Sequence, residues 1–149
     1  MPGIVGVHHT SFTVGNLNRS LEFFRDLLGF ELLATREIHD DYFGQIVGIP
    51  GCVAKIALLR MPATNHVLEL LEYVKPRGQA VRPQPNDSGS AHLAFLVDNM
   101  MELYEELHAM GFDFVGPPVS ISAGPNRGGM AVYLRDPNGI LIEFIQPPP

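Results

Sequence analysis

One pattern occurs twice along this chain, and it limits the possible folds more than any other feature of the sequence. His9-Thr-Ser-Phe-Thr-Val14 and His92-Leu-Ala-Phe-Leu-Val97 each set a histidine five residues before a valine, with side chains that a strand would sort onto two faces. Each stretch leads into a helical pattern. Leu17, Leu21, Phe24 and Leu28 recur at helical spacing before Gly29; Met100, Leu103, Tyr104, Leu107 and Met110 do so before Gly111. Both glycines stand where a helix C-terminus calls for one. His9 precedes its glycine by 20 residues and His92 precedes its own by 19. Asn99 with Glu102 has the spacing of a capping box.

The repeat continues to the ends of both halves. Val5 to Val14, Phe30 to Glu37, Val53 to Arg60 and His66 to Val74 are the expected strands of the first half, with a loop over His39–Gly51. Ser90 to Val97, Phe112 to Val115, Met130 to Arg135 and Ile140 to Ile145 are those of the second, with a loop over Pro117–Gly129. Each half reads β-α-β-β-β. Between them, Lys75 to Gly89 is rich in Pro, Gly, Gln and Asn and lacks periodicity. The expected division is a module at 1–77, a linker at 78–89 and a module at 90–149, an α+β chain built by internal duplication.

The duplication carries ionisable residues with it. The last strands correspond as His66-Val-Leu-Glu69-Leu-Leu and Ile140-Leu-Ile-Glu143-Phe-Ile. A single ionised carboxylate inside an apolar strand costs several kcal/mol, of order 2–5, unless something compensates it. One such glutamate would be explained by an arginine or by water. Two of them, at equivalent positions and matched by two equivalent histidines, point to a shared task. His9, Glu69, His92 and Glu143 supply two imidazoles and two carboxylates, a donor set for a divalent first-row ion: Zn, Ni, Co, Mn or Fe(II). His8 and Glu72 are expected to face away from this set by alternation. His39, His66 and His108 have no repeat partner and are read as loop or surface residues.

These residues, with Ser20-Leu-Glu-Phe-Phe, Leu27-Leu-Gly-Phe30, Ala91-His-Leu-Ala-Phe-Leu-Val-Asp98 and Asp136-Pro-Asn-Gly-Ile-Leu-Ile-Glu143, resemble the vicinal oxygen chelate superfamily over Gly6 to Gln146. That superfamily includes glyoxalase I, methylmalonyl-CoA epimerase, extradiol dioxygenases and the fosfomycin and bleomycin resistance proteins. The resemblance implies two βαβββ modules forming an incompletely closed eight-stranded sheet around a metal, and usually a homodimer. It also places metal ligands at His9, Glu69, His92 and Glu143. The glyoxalase I pattern has an arginine and an asparagine for glutathione where this chain has Thr13 and Tyr73, so the likeness does not extend to that substrate. The epimerase pattern has a glutamate on the third strand where Lys55 stands, and Lys55 is read as a solvated edge residue.

The expected activity is that of a glyoxalase-like lyase or isomerase. A small substrate would chelate the ion through neighbouring oxygens, a metal-stabilised enediolate would form, and Glu143 would move the proton with Glu69 as its counterpart. Leu96, Leu141, Ile145 and Val67 would keep water out. Tyr133, ten residues before Glu143, matches the tyrosine of extradiol dioxygenases, making an Fe(II) enzyme with His9, His92 and Glu143 as its triad the runner-up. A non-catalytic binding protein of the resistance type is the third reading, and a proline base at Pro2 a remote fourth. A net charge of −6 and a pI near 5.4 speak against nucleic acid or an anionic membrane as partner. A single cysteine, Cys52, excludes an internal disulfide framework, and the absence of an 18-residue apolar run or a signal-like leader points to the cytoplasm.

Overall fold

The computed structural model describes residues 3–149; Met1 and Pro2, and with them the expectation of a proline base, lie outside the described residues. The chain forms two compact units, divided after Ala80. The first contains strand β1 (His9–Thr13), helix α1 (Leu17–Leu21) running on as a π-helix over Glu22–Leu27, β2 (Glu31–Ile38), α2 (Asp41–Val47), β3 (Val53–Arg60) and β4 (Val67–Lys75). The second contains β5 (His92–Leu96), α3 (Met100–Ala109), β6 (Asp113–Phe114), β7 (Val119–Ser120), β8 (Met130–Arg135) and β9 (Leu141–Gln146). The sheets run β1-β4-β3-β2 and β5-β9-β8-β6, with β7 also paired to β8. In both, the first strand lies parallel to the last and the other pairs are antiparallel. The helix between the first two strands carries the chain back to the end where it began, which a parallel pairing requires.

One face of the first sheet is a core. Phe12, Leu68 and Leu70 point to it, and Phe23 and Phe24 of the π-helix are 2% and 0% exposed beneath them. The rings of Phe12 and Phe24 are 6.4 Å apart, and those of Phe24 and Phe30 5.4 Å. A helix this short does not persist on propensity alone; burial of each large side chain, about 1.5–3 kcal/mol, holds it in place. Gly29 (φ +74°) and Gly111 (φ +84°) end the two helices in the left-handed conformation that their positions predict.

Both helix starts are closed by the last strand of their unit. Asn16 and Asn99 accept at the cap from the N–H groups of Arg19 and Glu102. Glu72, 8% exposed, accepts the N–H of Leu17 at 2.8 Å, and Gln146 accepts that of Met100 at 2.7 Å. Glu72 lies three residues after Glu69, and Gln146 three after Glu143. Repeat-equivalent side chains therefore satisfy equivalent orphan donors, one with a charge and one without.

The structure departs from the sequence-based expectation in three places. Within the expected loop His39–Gly51, residues Asp41–Val47 form α2, whose Phe43 and Val47 join a cluster with Ile38, Cys52, Ala54 and Leu71. Asp, Gly and Pro interrupt that stretch, but the two apolar residues four apart are enough to dock one helical face. The loop Pro117–Gly129 contains the two-residue strand β7, which makes nine strands among the described residues where eight were expected. And β1 begins at His9, not Val5: Ile4, Val5 and Val7 are exposed.

Candidate functional site

Register puts the candidate ligands in matched places. Ser11 pairs with Glu69 across β1 and β4, and Ala94 with Glu143 across β5 and β9; both histidines sit two residues earlier on the same faces. These are the faces turned away from α1 and α3's capping residues, since Glu69 and Glu72, like Glu143 and Gln146, lie on opposite sides of their strands. In the first unit His9 Nε2 stands 3.6 Å from Glu69 Oε1, beyond hydrogen-bond length. In the second, His92 Nε2 stands 3.2 Å from Glu143 Oε2. Both carboxylate side chains are 16% exposed, while His9 and His92 are 36% and 46% exposed. Each carboxylate is thus largely withdrawn from water with an imidazole nitrogen directed at it.

The surroundings of the two pairs differ, which the repeat does not announce. Ser11 donates to Glu69 Oε1 at 2.9 Å; its counterpart Ala94 has nothing to donate. Opposite Glu143 on β8 stands Tyr133, where Glu69 has Leu58. The Tyr133 hydroxyl is 3.3 Å from His92 Nε2. Burial, then the charge of Glu143 and a hydrogen bond to it, push the Tyr133 phenol above its ordinary value, so it stays protonated as a donor. Tyr73 near Glu69 is likewise pushed up, by burial, Cys52 and Glu69 in that order. The turn Asp136–Gly139 sets where β9 starts: Asp136 Oδ1 accepts the N–H groups of Asn138 and Ile140, both at 2.8 Å.

His8 corrects an expectation. It lies just before β1, where alternation no longer applies, and its Nδ1 is 2.7 Å from Nδ1 of His9. The two rings lie 5.0 Å apart, so His8 stands beside His9 and not on the opposite side of the strand. Lys55 lies in register with Glu72, on the face opposite Glu69, and is exposed. Thr13, Tyr73 and Val67 share the face of Glu69; in the second unit Leu141 and Ile145 share that of Glu143, while Leu96 on the same face is exposed to solvent and does not keep water out as expected. His39 pairs with Glu37 at the surface, His66 Nε2 is 2.9 Å from Thr10 Oγ1, and His108 packs by Tyr104 and Phe114.

Within each unit, among the described residues, no group of three or more His, Cys, Asp or Glu side chains stands close enough to hold a metal. Each unit offers one imidazole and one carboxylate aimed at each other. That half-set fits a divalent ion chemically, since both donors present acceptor atoms to one point. The first unit adds a feature absent from the sequence reading: a cleft of about 290 Å³ beside Glu69, walled by Ala34, Ile38, Phe43, Ile56 and Leu58 and edged by Arg36 and Tyr42. Helix α2 forms one side of it.

Comparison with known proteins agrees with this architecture. The family model for the Glyoxalase/Bleomycin resistance protein/Dioxygenase superfamily matches residues 6–144, and the chain belongs to that superfamily. It is 36% identical to a 2-epi-5-epi-valiolone epimerase of an Actinomyces species, over 99% of this chain and 82% of that one. It is 30% identical to the lactoylglutathione lyase of Haemophilus influenzae, over 93% of this chain and 90% of that one. A glyoxalase family protein of Bacillus cereus has the same fold, with a TM-score of 0.85 at 21% identity over 99% and 97% of the two chains. The fosfomycin resistance protein FosX of Listeria monocytogenes, solved with Mn(II) and sulfate, superposes with a TM-score of 0.65 at 17% identity, covering 97% of this chain and 93% of that one. No helix among the described residues is long and apolar enough to cross a membrane.

Proposed function

We propose that this protein is a divalent-metal-dependent lyase or isomerase of the glyoxalase type, acting on a compact substrate that presents two neighbouring oxygens. The observation that carries the reading is the imidazole–carboxylate pair built twice in the same strand register, His9 with Glu69 and His92 with Glu143. These four residues would hold the ion, which when bound supplies positive charge against the negative charge that develops on a substrate oxygen. The named relatives, an epimerase and a lyase, support proton transfer as the reaction class.

The chain's own residues divide the work. Glu143 moves the proton: it is mostly withdrawn from water, and the neutral Tyr133 hydroxyl beside it can return or steady a proton at the substrate oxygen. Glu69, held by Ser11, is the fixed partner. Leu141 and Ile145 on the face of Glu143, and Val67 on that of Glu69, limit water at the reacting groups. A cytoplasmic homodimer goes with this reading.

Tyr133 next to His92 also favours a second reading, an Fe(II) ring-cleaving dioxygenase using His9, His92 and Glu143. Elemental analysis of protein purified without added metal separates the two. Zinc, nickel, cobalt or manganese near one per chain supports the isomerase or lyase, and oxygen-sensitive iron with catechol turnover supports the dioxygenase. Glu69→Gln should sharply weaken metal binding; unchanged metal content would reduce the site to three ligands. Protein that holds no metal, with stability indifferent to chelator, would sink the reading.

A further inference from the structure

The cleft beside Glu69 has a cationic end that the proton chemistry does not use. Arg36 and Glu69 are the only charged residues among those lining it. They share one face of the sheet: Arg36 is opposite Ile56, and Ile56 opposite Leu71, while Glu69 is opposite Leu58 and Leu58 opposite Ala34. Two strand spacings across and two residues along place their Cα atoms about 12 Å apart, with both side chains lining the space between. Apolar Ile56, Leu58 and Ala34 line the floor between them.

Arg36 is poorly satisfied where it stands. Its Nη2 donates to the Tyr42 hydroxyl at 2.9 Å and reaches Asp40 only at 3.5 Å. Both Arg36 and Asp40 are more than half exposed, so this pair is weakly held and easily exchanged. A guanidinium has five N–H groups in a fixed fork and accepts nothing, so its natural ligand is a planar or tetrahedral oxyanion. Tyr42 comes from α2, which Phe43 anchors to the cluster around Ala54 and Leu71. The helix thus presents the tyrosine at a set position beside the arginine.

We propose that Arg36 and Tyr42 form an oxyanion-binding subsite that takes a carboxylate or phosphate at the end of the substrate remote from Glu69. A volume near 290 Å³ admits a ligand of about ten non-hydrogen atoms at most, judged by the space that water molecules take. The substrate class is therefore a small oxygenated acid or phosphate ester, with its reacting carbons toward Glu69 and its anion on α2. This orientation rests on the metal-site reading above; the subsite itself rests only on the cleft.

The test uses full-length, metal-free protein, so its result is independent of the ion. Inorganic phosphate and glycolate are titrated separately while the backbone amide resonances of Ala34, Arg36, Tyr42 and Phe43 are followed. Saturable shifts confined to these residues are expected with at least one probe, and which probe acts tells phosphate from carboxylate. Arg36→Gln should weaken binding about tenfold or more, as loss of a charge-assisted pair requires. Arg36→Lys, which keeps the charge and loses the fork, should fall between, and serves if the glutamine variant does not fold. Asp40→Asn should tighten binding by removing the competing carboxylate, an effect no purely structural role for Arg36 would give. Arg60→Gln, on the same sheet but paired with Glu31 at 2.7 Å, should change nothing. Non-saturating shifts with both probes, or equal weakening by Arg36→Gln and Arg60→Gln, would overturn the subsite and leave the metal reading standing.

Discussion

Ser11→Ala isolates the asymmetry between the two histidine–glutamate pairs. Ser11 donates a hydrogen bond of 2.9 Å to the same Glu69 oxygen that faces His9. Its loss has two opposed effects. Without the donor, Oε1 keeps more negative charge and would bind a cation slightly better. Against that, the carboxylate is freed to rotate, and ordering a glutamate side chain costs up to about 1.5–2 kcal/mol. A hydrogen bond to a charged group is worth about 1.5–3 kcal/mol net, and Ser11 is exposed, so the low end applies. A net loss near 1–1.5 kcal/mol corresponds to metal binding weaker by roughly 5–15-fold. Groups that orient metal ligands from behind typically account for about 10–100-fold, and the exposure of Ser11 again selects the lower figure. Competition with a chromophoric chelator measures it directly. Thr13→Ala, on the same face with no bond to Glu69, is the control. Affinity within about threefold of wild type in Ser11→Ala, with Glu69→Gln still impaired, would refute the claim that Ser11 orients the ligand.

Three further outcomes follow from the packing. Glu72→Gln should cost less than about 1 kcal/mol of stability, because Gln146 does the same work in the second unit, whereas Glu72→Ala should cost about 1.5–3 by orphaning the Leu17 N–H; denaturant midpoints decide this. Gly44→Ala would gain about 1 kcal/mol in helix propensity, but its Cβ would meet the Ile49 carbonyl at 2.9 Å, an overlap costing about 1–3, so melting temperature should fall and the Tyr42 resonance should broaden. The raised Tyr133 pKa means that the folded protein keeps this phenol protonated to higher pH than the unfolded chain does. Its contribution is complete below 10.0 and is lost as pH rises through the folded value, so Tyr133→Phe should lessen the fall in stability of metal-free protein at alkaline pH. An unchanged alkaline profile would contradict it.

The sequence made the architecture legible because period and punctuation agree within each half. Strands β3 and β8 match their expected bounds, since Val53–Arg60 and Met130–Arg135 are apolar runs cut off by Met-Pro and Asp-Pro. Helix α2 was not legible: its core contact rests on two residues, and the local signals of Asp40, Gly44 and Pro50 all favour a turn. That each histidine stands with its glutamate within one unit comes from the strand register; that each half carries one of each at matching places could be read from the repeat. What lies beside each pair could not. Ser11 and Ala94, or Leu58 and Tyr133, occupy equivalent places with unlike side chains, and only cross-strand register shows which carboxylate each one meets. The helix-closing roles of Glu72 and Gln146 did have a signal, the shared spacing of three residues after each glutamate, but alternation alone dismissed Glu72 as a residue facing away.

The π-helix at Glu22–Leu27 accounts for a difference in length between the helical segments of the two units. Asn16 and Asn99 each follow their histidine by seven residues, so the halves are in step at the start of their helices. Thirteen positions then separate Asn16 from Gly29, while twelve separate Asn99 from Gly111. The extra residue falls inside the helix, where Leu28 N–H bonds the Phe23 carbonyl five residues back. The wider turn accommodates one residue more than the second unit's helical segment has, and the glycine still closes its end. Deletion of one residue in this segment should therefore restore an ordinary α-helix and leave the pairing of β1 with β4 unchanged, because the extra residue is taken up inside the helix and not passed on to the strands.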